Sequence, residues 1–391
     1  MLPQNNLDQQ DHKIELADIF RIHGPAYRDK FGPNMLPSHK RAMEDIEHCR
    51  TEELGGHVFF CDTCDDYRYS YHSCKNRNCP KCGHENAKVW LDKQKTLLLP
   101  VIYFMVTFTL PDNIRRLAAS HQRLIYDLLF RTSAAALQKL ACDPEYVGGQ
   151  IGMVGVLQTW TRDLSVLHPH VHYIVPGGGL SKEENLWLPA KQNFLMPNKA
   201  LSKIFRAKFR DALEKTDIFH QIPPETWKQN WVVHIEPVGT GEHALEYLAP
   251  YIFQVAISNK RILDLQNGMV TFQYKESKTR QWKTKTIPAE KFISSFLQHV
   301  LPSRFIKVRY YGFLHPRKRH LLLKAQQLLG FPITKTEPLT TLEQTDEHPD
   351  SDELPEEKPN TIRCPQCGNL MQWINDLLPK RRSYPFRVRS P

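Results

Sequence analysis

The amino-acid sequence predicts an α+β protein, with a central antiparallel sheet flanked by helices and preceded by a small zinc-binding domain. Three observations carry this expectation. Two strand-like runs, residues 151–162 and 166–175, are separated only by a short polar turn, so they pair as antiparallel neighbours. Segments with helical periodicity fall between the other strand-like runs. Residues 49–86 are dense in Cys, His, Asn and Gly with little hydrophobic periodicity, and such a segment folds around metal.

At 391 residues the chain exceeds one ordinary core, so two or three domains are expected. The formal net charge is +10, which understates the positive surface. Residues 336–358 carry nine acids and one lysine, a net of −8, so the remainder sums to +18. That bias favours a polyanionic partner, nucleic acid ahead of membrane. No charged-then-apolar signal peptide opens the chain. The longest apolar stretch, 97–110, is interrupted by Pro100 and is too short to span a bilayer. A cytoplasmic location follows, where nine cysteines are not expected to form a disulfide framework.

Residues 1–48 are helical in patches, punctuated by Gly24-Pro25, Gly32-Pro33 and Pro37, and a further helix is expected over 86–99. Residues 101–109, rich in β-branched and aromatic types, form a strand that ends at Pro111. Asp112 is placed to cap a helix running to about Leu140. After the two central strands come a helix over 199–215, a strand over 231–238, a hairpin from 270–274 and 283–287, and a helix over 289–300. The resulting division is 1–96 for N-terminal helices and zinc domain, and 97–330 for the sheet domain. An acidic, Pro-rich linker without a core follows over 331–360, then a CxxC knuckle and basic tail over 361–391.

Cys61-x-x-Cys64 and Cys79-x-x-Cys82 are two CxxC pairs, and two such turns complete one tetrahedral structural Zn2+ site. A redox dithiol would need one CxxC beside a βαβ pattern, which is lacking here. Cys49, His57 and Cys74 in the same window could supply a second zinc; the bland alternative is surface histidines and buried cysteines. Cys364 and Cys367 are half of a zinc ribbon without an identified partner. Arg77 and Lys81, interleaved with Tyr67, Tyr69 and Tyr71, suit backbone contact and base stacking on DNA.

Alternate residues on a strand share a face, so His168, His170 and His172 project to one side. A buried strand face rarely accepts three imidazoles without a common partner. Together they suit a divalent ion, Mg2+ or Mn2+, with either His168 or Gln158 as third ligand. Tyr247 and Tyr251, four apart on an expected helix starting near residue 242, point to one side despite Pro250 between them. A metal that polarises a phosphate beside phenolic nucleophiles can break a phosphodiester and hold the DNA end covalently. That chemistry needs no nucleotide cofactor, and no GxxxxGK[ST] loop occurs. One competing pattern, Gly239-x-Gly241-x-x-Ala244, matches a dinucleotide-binding fingerprint that would suit an oxidoreductase.

These residues resemble the rolling-circle insertion-sequence transposases of the HUH superfamily with two catalytic tyrosines, the insertion sequence 91 family. The resemblance covers most of 40–320. It runs through Cys49, then His72-Ser73-Cys74-Lys75-Asn76-Arg77-Asn78-Cys79-Pro80-Lys81-Cys82, Leu157-Gln158-Thr159-Trp160, His168 to His172, and Tyr247-Leu248-Ala249-Pro250-Tyr251. Arg309-Tyr310-Tyr311-Gly312 completes it. The resemblance implies an HUH nuclease domain with His170 and His172 as metal ligands and Tyr247 and Tyr251 as nucleophiles. It further implies a 5′-phosphotyrosine formed on single-stranded DNA at transposon ends, followed by transfer to target DNA. The family often has His where this chain has Gln158. The region around Arg309, Arg317, Lys318 and Arg319 is expected to track the DNA backbone. A plasmid replication initiator or relaxase with the same chemistry, and a non-catalytic zinc-dependent DNA-binding relative, are the alternatives.

Overall fold

A computed structural model describes residues 13–82, 94–95, 97–241, 243, 245–246, 255–276, 279–330 and 362–380. Thirteen strands are described, among which β1 is Gly56–Cys61, β2 Asp66–Tyr71, β3 Ile102–Thr109, β4 Met153–Trp160 and β5 Leu167–Pro176. They continue as β6 Gly178–Leu180, β7 Trp187–Pro189, β8 Val232–Thr240, β9 Ile262–Gln266, β10 Met269–Lys275, β11 Trp282–Pro288, β12 Val308–Tyr311 and β13 Gln372–Leu377. The chain divides into two compact units, one of 1–82, 255–300 and 351–391, the other of 83–254 and 301–350. The sequence expectation grouped 255–300 with the sheet domain and set 361–391 apart; chain order hides both associations.

The second unit is built on a five-stranded sheet in the order β12-β4-β5-β3-β8, antiparallel throughout. β5, which carries the histidines, is therefore central. Its alternation sorts side chains cleanly between two faces. Val171, Tyr173 and Val175 join Phe104, Val106 and Phe108 of β3 in the main core, covered by helices Gln122–Ala141 and Asn198–Leu213. Phe205 packs edge-on against Phe108 at 4.9 Å and Trp231 at 5.1 Å. On the opposite face, Tyr103, Met105, Val154, Val156 and Ile174 make a smaller apolar cluster at one end of the strands. The residues at the other end of that face are polar.

The expected helix from Asp112 to Leu140 is two helices, Asp112–Ser120 and Gln122–Ala141, broken at His121. Pro111 occupies the capping position assigned to Asp112. The glycine run starts at the end of β8, an antiparallel edge strand, Gly239 and Gly241 having φ of +88° and +47°. A dinucleotide fingerprint needs a parallel βαβ unit, so that pattern lacks its context here.

In the first unit, helix Leu16–Phe31 runs unbroken through Pro25, where the sequence suggested a stop. Packing overrides the lost hydrogen bond. Leu16, Ile19 and Phe20 are buried, Phe20 meets Phe296 of helix Ala289–Leu297 at 5.5 Å, and the Arg21 guanidinium donates to the Glu47 carbonyl. Two three-stranded sheets complete the unit, β11-β10-β9 and β13-β1-β2. Among the described residues no helix is long and apolar enough to cross a membrane.

Candidate active site and thiol centres

The polar end of the central sheet is organised in rows set by strand register. Gln158, His170 and Thr109 lie side by side on β4, β5 and β3. The next row is Val156, His172, Thr107 and His234, the last on β8. Gln158 and His172 are buried, His170 is half-buried, and the β8 side opens to solvent at the exposed His234. The rings of His170 and His172 stand edge to face with centroids 4.7 Å apart.

Each imidazole is held by its Nδ1. His172 Nδ1 is 3.0 Å from the Thr107 hydroxyl, and His170 Nδ1 is 2.6 Å from the His168 carbonyl. His170 therefore donates from Nδ1, which leaves its Nε2 as the lone-pair nitrogen. Burial pushes both rings down, His170 to about 4 and His172 to about 2, with the neighbouring histidine adding to the effect. Both are neutral at physiological pH, the form that binds metal.

His168 differs. Its Nδ1 meets the Arg115 guanidinium, and burial followed by that cation lowers it to about 4. Two thiol quartets are the only groups of three or more His, Cys, Asp or Glu ligand atoms found within 4.8 Å of one another among the described residues. The three histidines thus do not converge on one point, as expected for alternate residues about 6.6 Å apart along a strand. The helical residues Gly241, His243, Leu245 and Glu246 follow β8, but Tyr247 and Tyr251 lie outside the described residues. So do the expected linker over 331–360 and most of the expected helix over 86–99.

The thiols group differently from the sequence expectation. Cys79 and Cys82 are joined by Cys49 and Cys74; Cys61 and Cys64 are joined by Cys364 and Cys367. The two N-terminal CxxC pairs therefore do not share one ion. His57 is in neither quartet; its Nδ1 pairs with Asp376 at 2.6 Å and its ring abuts His72. Zinc–sulfur bonds of about 2.3 Å in a tetrahedron give sulfur–sulfur edges of roughly 3.8 Å. The first quartet matches, with Cys49–Cys82 at 3.5 Å and Cys74–Cys82 at 3.7 Å. Hydrogen bonding among these thiols pulls Cys49 and Cys82 down and pushes Cys74 and Cys79 up. Packed sulfurs that must share protons in this way are well suited to surrender them to a cation.

Among the basic residues, Lys81 pairs with Glu15 at 2.5 Å and Arg77 is half-buried, whereas Arg317, Lys318 and Arg319 are exposed. Arg309 is committed inward. It pairs with Asp127 and lies over the rings of Phe130 at 4.4 Å and Phe305 at 5.1 Å, so its expected role on the DNA backbone is not supported. Sequence reading had also missed Thr107 and Arg115, which hold the histidine rings; the β-pattern of 101–109 was the available signal for Thr107.

Comparison with known proteins places the sequence in a family. Residues 152–320 match a family described as "Putative transposase", and residues 19–110 match a transposase zinc-binding domain. A protein of Sinorhizobium fredii named "Putative transposase y4qJ" is 39% identical over 341 residues, 82% of this chain and 85% of the relative. The transposase for insertion sequence element IS801 of Pseudomonas savastanoi pv. phaseolicola is 28% identical over 290 residues, 69% of this chain and 68% of that protein. No solved structure matches. The first thiol quartet falls within the matched zinc-binding domain and the histidine strand β5 within the matched transposase region, and the chain is accordingly a transposase of the insertion sequence 91 family.

Proposed function

We propose that this transposase nicks and rejoins single-stranded DNA at transposon ends through a covalent 5′-phosphotyrosine, in the manner of an HUH endonuclease. The observation that carries the reading is the pair His170 and His172, neutral and adjacent on the central strand, with buried Gln158 directly across from His170. Their nitrogens and the Gln158 amide oxygen suit Mg2+ or Mn2+, which would polarise the scissile phosphate when bound. Arg115 beside His168 opposes a second cation there, which favours Gln158 over His168 as third ligand.

Tyr247 and Tyr251 are the nucleophiles. The phenolic oxygen attacks phosphorus, the P–O3′ bond breaks, and the phenolic proton is passed on to leave a free 3′-hydroxyl. A DNA 3′-hydroxyl then attacks the phosphotyrosine, the bond from phosphorus to the phenolic oxygen breaks, the tyrosine regains its proton and the strand is joined, while the second tyrosine serves a later strand transfer.

The exposed β8 side gives single-stranded DNA an open approach, and exposed Arg317, Lys318 and Arg319 supply cations for its phosphates. The zinc-binding domain recognises the element end. The test uses a single-stranded oligonucleotide from an element end, labelled at its 3′ terminus, with Mg2+ or Mn2+. A labelled protein band should survive denaturing electrophoresis and disappear when Tyr247 and Tyr251 are both changed to Phe. Tight binding with no adduct under either metal would make the chain a DNA-binding relative without the chemistry.

A further inference from the structure

The second thiol quartet is drawn from the two ends of the chain, and half of it lies far outside the matched zinc-binding domain of 19–110. We infer that Cys61, Cys64, Cys364 and Cys367 hold a second zinc ion, which clasps the C-terminal segment onto the N-terminal domain and makes strand β13 part of that domain's sheet.

The sulfur geometry is that of a closed tetrahedral site. Cys61 to Cys367 is 3.5 Å and Cys64 to Cys364 is 3.8 Å, against an edge of roughly 3.8 Å for zinc bound by four thiolates. Both contributing turns are shaped as knuckles. Asp65 follows the first pair with φ +51°, and Gly368 follows the second with φ +75°, its N–H donating to the Cys364 carbonyl. Side chains lock one turn to the other, the Asn369 amide donating to the Thr63 hydroxyl at 2.9 Å and the Gln372 amide to the Asp62 carboxylate at 2.5 Å.

The rest of the attachment is too weak to stand alone. β13 pairs with β1 from Gly56 to Phe60, yet five of its six side chains are exposed. The apolar cluster beneath consists of Phe59, Cys61, Cys364 and Met371, two of them the thiols themselves. An exposed strand that closes a loop of some 300 residues needs a further source of stability, and a four-thiolate zinc site supplies it. The N-terminal side is built to receive the strand. Gly55 has φ +71°, and a Cβ there would sit 2.4 Å from the Leu377 carbonyl, so only glycine allows the segment to pass.

Full-length protein purified under reducing conditions is assayed for zinc by elemental analysis and native mass spectrometry. Two zinc ions per chain are expected, and one after Cys364→Ser with Cys367→Ser. In that variant limited proteolysis should also release the segment around 362–380, which stays protected in the parent. Cobalt titration of the unmodified apoprotein gives an independent count if the variant fails to fold. Two equivalents with thiolate-to-cobalt charge transfer support the clasp; saturation at one overturns it. Retention of two zinc ions by the double variant also overturns it. These readouts do not involve DNA, so they stand or fall apart from the nicking chemistry.

Discussion

Gln158 and His170 are direct partners across the β4–β5 ladder, the amide buried and the imidazole half-buried beside it. If the amide oxygen is a ligand, Gln158→Ala should raise the metal concentration needed for half-maximal adduct formation by about tenfold to a hundredfold. Gln158→Glu, which keeps an oxygen donor and adds charge, should restore or tighten it. Equal metal dependence in all three proteins would remove Gln158 from the site.

Thr107 orients His172 through a 3.0 Å hydrogen bond to Nδ1 without reaching the reacting atoms itself. Thr107→Val preserves shape and removes that bond. The expected loss is again about tenfold or more in metal affinity, as for other groups that fix a ligand ring. Thr107→Ser should recover most of it. A Val variant with unchanged metal affinity would show the bond to be structural only.

Buried neutral histidines also set a direction for stability against pH. In the unfolded chain a histidine takes up its proton near pH 6.5, whereas folded His168 and His170 resist until about 4 and His172 until about 2. Below 6.5 the unfolded chain binds more protons, so the metal-free protein loses stability as pH falls from about 6.5 towards 4. Each group adds a slope approaching about 1.4 kcal/mol per pH unit in that window. Denaturant unfolding at pH 7.5, 5.5 and 4.5 measures it, and His172→Asn should flatten the dependence.

The inward and exposed basic residues in the C-terminal part of the sheet unit should separate in DNA binding. Arg309→Ala removes an ion pair and ring contacts and should cost about 1–2 kcal/mol of stability, with the salt slope of DNA binding unchanged. Arg317→Ala and Lys318→Ala should leave stability intact and reduce the slope for single-stranded DNA by about 0.7 for each phosphate no longer neutralised. Identical slopes in all three variants would exclude this face from the DNA path.

Cysteine reactivity offers a further check. Eight of the nine cysteines lie in the quartets, and Cys142 alone stands apart and exposed. With both quartets metal-loaded, one thiol per chain should react quickly with a thiol reagent, and nine after chelation under denaturing conditions. Five fast thiols in the native protein would mean that one quartet carries no metal.

The sheet was legible from composition and from one alternating run. The β-branched and aromatic residues around Phe104 to Phe108 and the histidine run of β5 read as strands, and both are interior strands of the five-stranded sheet. Which cysteines share an ion was not legible, since spacing reports local turns and not which turns meet. Cys79-x-x-Cys82 looked sufficient beside Cys61-x-x-Cys64, and only the pairing of β13 with β1 brings Cys364 within reach. The inward turn of Arg309 was hidden for a similar reason. A basic run looks alike whether a given guanidinium meets water or, as here, Asp127 and two phenylalanine rings.

The pairing of β1 with β13 also fixes an order of events at the ribosome. β1 and β2 emerge early, but the strand that covers the other edge of β1 is synthesised some 300 residues later, a delay of about 15–60 s at bacterial elongation rates. Until then that edge is open to any passing strand. A polypeptide terminated before residue 372 never closes it, so the finished N-terminal module certifies that translation has passed β13.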